Sequence, residues 1–178
     1  MDHIHHINSL SEMHRLLGYD EPKHPLISVL DVSEMKIPED VKGGRYSSDF
    51  YCIAMKDKDC GLQYGRNHYD FEEGVLLFMA PDQVVSSVDD SADANGWMLF
   101  FHPDLIRKSN LGMTIHNYTF FSYDVHEALH LSKKEEGILN DCVQKIAAEY
   151  GENIDAHSQS LFVSNLELML NYCNRFYE

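Results

Sequence analysis

The chain has 178 residues, with 29 Asp and Glu against 14 Lys and Arg, and a formal net charge of −15 at pH 7. Such a surface repels nucleic-acid phosphates, and Lys and Arg come at most in pairs such as Arg107-Lys108 and Lys133-Lys134, so the chain alone is not expected to bind DNA. It is 44% hydrophobic, has no apolar run near the roughly 20 residues that cross a bilayer, and lacks a secretory-type start, which reads as one cytoplasmic globular protein with no membrane partner.

His3, His5 and His6 lie close together in sequence, but a chain end holds no fixed geometry, so no function is expected of them. Ser9-Leu10-Ser11-Glu12 has capping-box spacing and predicts a short helix that stops at Gly18. Residues 1–23 read as an N-terminal extension, and Pro22 and Pro25 bracket a linker. Residues 24–130 then alternate short apolar runs with Gly, Pro and acidic turns, the signature of an all-β sandwich or barrel.

Strands are predicted over Leu26–Leu30 and Asp49–Met55, with a loop over Lys36–Gly44 between them and a hairpin turn at Lys56-Asp57-Lys58-Asp59. Cys60–Ser87 supplies the centre of the sheet system. Gly61–Phe71 alternates imperfectly, Glu72-Glu73-Gly74 turns the chain, and Val75–Met79 is a five-residue apolar run that fits a strand covered on both faces. Ala80-Pro81-Asp82 turns it again before Gln83–Ser87. An acidic loop over Asp89–Asn95 leads to a buried strand, Gly96–Phe101, ended by His102-Pro103. Pro103–Arg107 suits one helical turn with Pro at its first position, and the aromatic stretch Tyr118–Tyr123 suits a strand.

Residues 131–178 read as two helices. Ser132-Lys133-Lys134-Glu135 is a second capping box, followed by a stripe of Ile138, Leu139, Cys142, Val143, Ile146 and Tyr150 that Gly151 ends. Asp155 is the expected N-cap of the last helix, whose Phe162, Leu166, Met169, Cys173 and Phe176 follow the 4-3-4-3 spacing of a packed helix pair. Leu161, Leu168, Leu170, Tyr172 and Tyr177 widen that apolar surface, and a second face implies a partner, so the seam is the expected interface of a homodimer. The helix runs to Glu178 without a stop signal, which suggests a chain that continues.

The chemistry-bearing residues are sparse. The widely separated Cys52, Cys60, Cys142 and Cys173 read as reduced core residues rather than zinc ligands. His68, Glu72, Glu73 and His102, with His116, His126 and His130, are the candidates for a two-His-one-carboxylate metal site. Cupin metal sites carry a paired H-x-H on one strand, whereas Asn67-His68-Tyr69-Asp70 holds one His. No nucleophile motif or Gly-rich phosphate loop is present. No catalytic residue, metal or cofactor is expected, and a small dioxygenase- or isomerase-like cupin enzyme stands as the alternative. A small-molecule pocket is expected instead, walled by Tyr64, Arg66, Tyr69, Phe78, Trp97 and Phe101, which offer aromatic surface and one cation.

The order of these parts resembles the N-terminal sensor domain of AraC-family transcriptional regulators. The phrases HPLISVLD (24–31), CGLQYGRNHYDFEEGVLLFMAPDQV (60–84), GWMLFFHPDLIR (96–107), FFSYDVHEALHLS (120–132) and SNLELMLNYCNRFYE (164–178) look like a group of these regulators common in Bacteroides-type bacteria. The similarity runs from about Asn8 to Glu178. It implies a cupin-like (double-stranded β-helix or jelly-roll) barrel followed by two dimerising helices, in a mainly-β class. It also implies an effector that controls a helix-turn-helix DNA-binding domain after residue 178. Members often carry a His shortly after the Pro of the barrel turn, but Pro81 is followed by Asp82-Gln83-Val84-Val85, so a sugar effector does not carry over.

Overall fold

Three segments, Tyr51–Lys56, Val75–Met79 and Gly96–Phe101, are apolar at nearly every position, which on a strand requires cover on both faces. The computed structural model describes residues 3–56, 62–64, 67–68, 74–87, 95–121 and 129–177, and supplies that cover with a second sheet on one side and helices on the other. In chain order the elements begin with β1 (Ile4–Ile7), α1 (Leu10–Leu17), β2 (Ile27–Asp31), β3 (Arg45–Ser48), β4 (Tyr51–Lys56), β5 (Leu62–Tyr64) and β6 (Asn67–His68). They continue with β7 (Val75–Met79), β8 (Val85–Ser87), β9 (Gly96–Phe101), α2 (Pro103–Ile106), α3 (Asn110–Thr114), β10 (Leu129–His130), α4 (Lys133–Tyr150) and α5 (Ser158–Tyr177).

The strands form two five-stranded sheets, ordered β1-β3-β8-β5-β6 and β10-β7-β4-β9-β2. Among the described residues every pairing is antiparallel except β1 with β3. Among the described residues neither sheet closes on itself, and the helices hold more residues than the strands. The class is therefore mixed, sheets with helices, and the mainly-β expectation is corrected.

Register decides which residues meet. Across β7, β4 and β9, Met79, Cys52 and Phe100 share one row, and Leu77, Ala54 and Met98 share the next row on that face. These side chains point toward the other sheet and form an inner core with Ile7, Leu10, Met13 and Phe50. The intervening rows, Phe78-Ile53-Leu99 and Leu76-Met55-Trp97, point the other way, into an outer core shared with α4 and α5. Ile53, Leu76, Leu99 and Phe101 have no measurable exposure or almost none, and removing a side chain of this kind costs about 2–5 kcal/mol. Gly96 opens β9 at φ 131°, where a Cβ would stand 1.9 Å from the Met55 carbonyl oxygen, so only glycine lets β9 lie this close to β4.

Both capping boxes sit at helix starts, as their spacing predicts. Ser9 Oγ accepts the Glu12 N–H at 3.1 Å, while the Glu12 carboxylate turns to His5 instead of closing the box, and Gly18 ends α1 at φ 84°. Ser132 Oγ accepts from Glu135 N–H at 3.2 Å, and Glu135 Oε1 accepts from Ser132 N–H at 2.9 Å, so the α4 box is complete.

Four expectations change. His5 and His6 lie in β1, paired with β3, and are not a loose tail. Lys56 continues β4 rather than starting a turn, while 57–59 lie outside the described residues. Thr119–Phe121 is a 3-10 turn rather than a strand, because Phe120 and Phe121 fold into the outer core against Phe78 and Tyr51. β3 and α3 were not expected at all: β3, Arg45-Tyr46-Ser47-Ser48, is partly exposed and polar on both faces.

Candidate functional site

The inner core is incompletely filled. Between the sheets, and closed at one end by α1, lies a cavity of about 110 Å³. β4 and β9 contribute Cys52, Lys56, Met98 and Phe100, and β7 contributes Met79. Opposite them stand Tyr46, Ser47 and Ser48 of β3 with Gln83 and Val85, and Met13, Leu16 and Leu17 of α1 cap the end. The wall is thioether, aromatic and aliphatic, which suits an apolar ligand body.

Among the described residues its polar groups are few, and most are already engaged. The Tyr46 hydroxyl donates to the Val41 carbonyl at 2.9 Å, and Ser48 Oγ accepts from Phe50 N–H at 3.2 Å. Ser47 Oγ lies 2.8 Å from His6 Nδ1, and Gln83 Oε1 accepts from Ala80 N–H at 2.9 Å. Burial pushes the Cys52 thiol up to about 12, with Lys56 pulling in the opposite sense, so Cys52 stays a neutral thiol near neutral pH. Lys56 is 1% exposed.

The residues expected to wall a pocket do not come together on this cavity. Phe78, Trp97 and Phe101 lie on the opposite face of their sheet, in the outer core. Phe78 packs on Phe120 at 4.2 Å between ring centroids, Phe101 stacks on Tyr51 at 5.0 Å, and the Trp97 indole N–H donates to Asn140 Oδ1 of α4 at 2.9 Å. They fasten the helices to the sheet. Tyr64 lies in β5, but its side chain, like Arg66 and Tyr69, falls outside what is described. The cavity residues Cys52, Lys56, Met98 and Phe100 carry no motif; the signal available in sequence was that strands apolar on both faces have a second face to assign.

The seam expected at a dimer interface is also used inside the chain. Phe162, Leu166, Met169 and Cys173 are at most 1% exposed and pack in the outer core, and Phe176 is half-buried beside Tyr172. The apolar side chains that α5 leaves in solvent are Leu161 and Leu168, 45% and 42% exposed.

The described histidines expected at a metal site lie on different elements. His68 lies in β6 of one sheet, and His102 follows β9 of the other, where its Nδ1 accepts the Asp104 N–H at 3.0 Å at the start of α2. Glu72, Glu73 and His126 lie outside the described residues, and His116 and His130 are exposed on separate elements. Among the described residues, His6, Asp49 and Asp82 bring ligand-type atoms within 4.8 Å of one another. His6 Nε2 is 2.6 Å from Asp49 Oδ1 and Nδ1 is 2.8 Å from Ser47 Oγ, so both ring nitrogens are already occupied in holding β1 to the segment around β3. Among the described residues no helix is long and apolar enough to cross a membrane.

No family model matches the chain, and no curated protein matches it either.

Proposed function

We propose that the chain is the effector-sensing and dimerisation part of an AraC-type transcription regulator, with its two sheets forming a cupin-like barrel around the effector. The observation that carries this reading is the arrangement of β4, β7 and β9: alternate residues of the same strands wall the cavity and seat α4 and α5. Cys52 and Ile53, or Met98 and Leu99, are neighbours in sequence that face the cavity and the helices respectively. A ligand that fits one spacing of these strands better than another would shift the helix pair with them, and only such differential affinity can drive a switch. The phrase-level resemblance to AraC-type sensors supports the same conclusion.

In this reading the partner surface is the exposed stripe of α5 marked by Leu161 and Leu168, rather than the buried seam. DNA contact belongs to a separate domain, which agrees with the net charge of −15. The test is a gel shift of the full-length gene product on fragments of its own upstream region, with this 178-residue chain as a control. The full-length protein is expected to retard a fragment and the chain alone to retard none; failure of the full-length protein on every fragment overturns the regulator reading. Metal content of protein purified without an affinity tag tests the enzyme alternative, since stoichiometric iron, manganese or zinc would displace the sensor assignment.

A further inference from the structure

Lys56 is an unusual wall residue. It shares the inner face of β4 with Cys52 and Ala54 and is 1% exposed, among the largest fully buried side chains described. Its neighbours in register are Val75 and Gly96, neither of which offers a side-chain acceptor. Among the described residues no carboxylate or carbonyl stands within hydrogen-bonding or ion-pairing distance of its amine, and the Cys52 thiol beside it is neutral. Tyr46, Ser47, Ser48 and Gln83 hold partners of their own. A buried amine is costly to keep charged where no counter-charge stands beside it among the described residues, and a ligand carboxylate would supply that partner.

We propose that the cavity takes a small organic monocarboxylate with an aliphatic or aromatic body, its carboxylate paired with Lys56 and its body among Met79, Met98, Phe100 and Leu17. This deepens the effector-cavity reading and rests on it. Lys56 is the one cation among the described wall residues, which sets the charge at one. The scarcity of unengaged polar groups among the described wall residues disfavours a sugar, whose hydroxyls would be buried without partners. The volume sets the size. A cavity of about 150 Å³ holds benzene, so one of about 110 Å³ suits a body no larger than one ring or a short chain.

The test is calorimetric titration of the purified chain with benzoate and hexanoate, and with benzamide and hexanamide as neutral counterparts of the same shape. Thermal unfolding with each compound is followed in parallel, because a ligand of the folded state raises the midpoint. The expected result is that at least one carboxylate binds with a Kd at least about tenfold below that of its amide, the scale of one hydrogen-bonded charge. Lys56→Met is expected to abolish that preference while the amide binds no worse. Equal affinity for a carboxylate and its amide, or undiminished carboxylate binding by Lys56→Met, overturns the proposal; so does failure of both carboxylates to bind at millimolar concentration. The comparison within the unaltered protein stands even where the variant does not fold. The outcome separates from that of the gel shift. Carboxylate preference with no promoter binding removes the regulator and leaves the site, and promoter binding with no carboxylate preference removes the ligand class and leaves the regulator.

Discussion

At the scale of single residues, the buried His14 and Ser28 are held for structural reasons that sequence gives no hint of. His14 is 3% exposed, with Nδ1 2.6 Å from the Asp20 carbonyl oxygen and Nε2 2.6 Å from Ser28 Oγ. A carbonyl only accepts, so Nδ1–H donates to it and Nε2 accepts the Ser28 hydroxyl. Replacing His14 by Ala leaves a void and a buried hydroxyl with no partner, and we expect a loss of about 2–4 kcal/mol in urea unfolding. Ser28→Ala in the same background should then cost little more, because the orphaned group is gone.

His24 behaves differently. Burial beside Phe162, whose ring it meets edge-on at 5.3 Å, holds its pKa below the usual value, and its Nδ1 accepts the Leu26 N–H at 3.0 Å. The unfolded chain therefore binds a proton more readily than the folded one. Its contribution is fully present above the ordinary histidine range of about 6.5 and is lost as pH falls through the lower, folded value. Unfolding midpoints taken from pH 8 to pH 5 should fall less steeply in His24→Gln than in the unaltered protein; parallel slopes would remove His24 from the pH response.

At the scale of elements, the two long helices and the apolar strands β2, β4, β7 and β9 are legible in the sequence, and the polar strand β3 is not. α4 announces itself by its capping box and by an apolar stripe at spacings of three and four, signals that lie within one stretch of chain. α5 was legible in extent, but its role was not: spacing shows that Phe162, Leu166, Met169 and Cys173 share a face, not whether that face meets the same chain or another. The structure gives the face to the outer core. Two substitutions separate the surfaces. Leu166→Ala should destabilise the fold by about 2–4 kcal/mol in urea, the cost of a core cavity. Leu161→Glu with Leu168→Glu, on the exposed stripe, should leave the unfolding midpoint of the monomer nearly unchanged and shift the mass measured by light scattering from dimer to monomer. A mass that does not change on that double substitution removes the stripe as the dimer surface.

At the scale of the whole molecule, two cores share one sheet. Cys52 lies in the inner core and Cys142 and Cys173 in the outer one, all three are free thiols, and burial raises the pKa of each above the usual thiol value. In the native state they should resist alkylation, since the thiolate is the nucleophile. Because β4, β7 and β9 belong to both cores, neither can dissolve without exposing the other. Brief alkylation across a urea series, read by mass spectrometry, should give Cys52 and Cys173 a common midpoint. Separate midpoints would show that the helices leave the sheet before the sandwich opens, and would weaken the mechanical link on which sensing depends.

The sequence alone determined what local chemistry determines: an acidic surface, two capped helices, a strand at Val75–Met79 covered on both faces, and Cys52, Cys142 and Cys173 in the core, while Cys60 lies outside the described residues. Tertiary structure decided which face of each covered strand looks where. A run apolar on both faces carries no polar marker to orient it, and a shift of one residue exchanges the faces. That is why Phe78, Trp97 and Phe101 belong to the helices and not to the cavity, and why Lys56, expected in a turn, is the inward-facing end of β4. The partners that set its orientation, Val75 and Gly96, lie 19 and 40 residues further along the chain, and only the paired sheet brings them beside it.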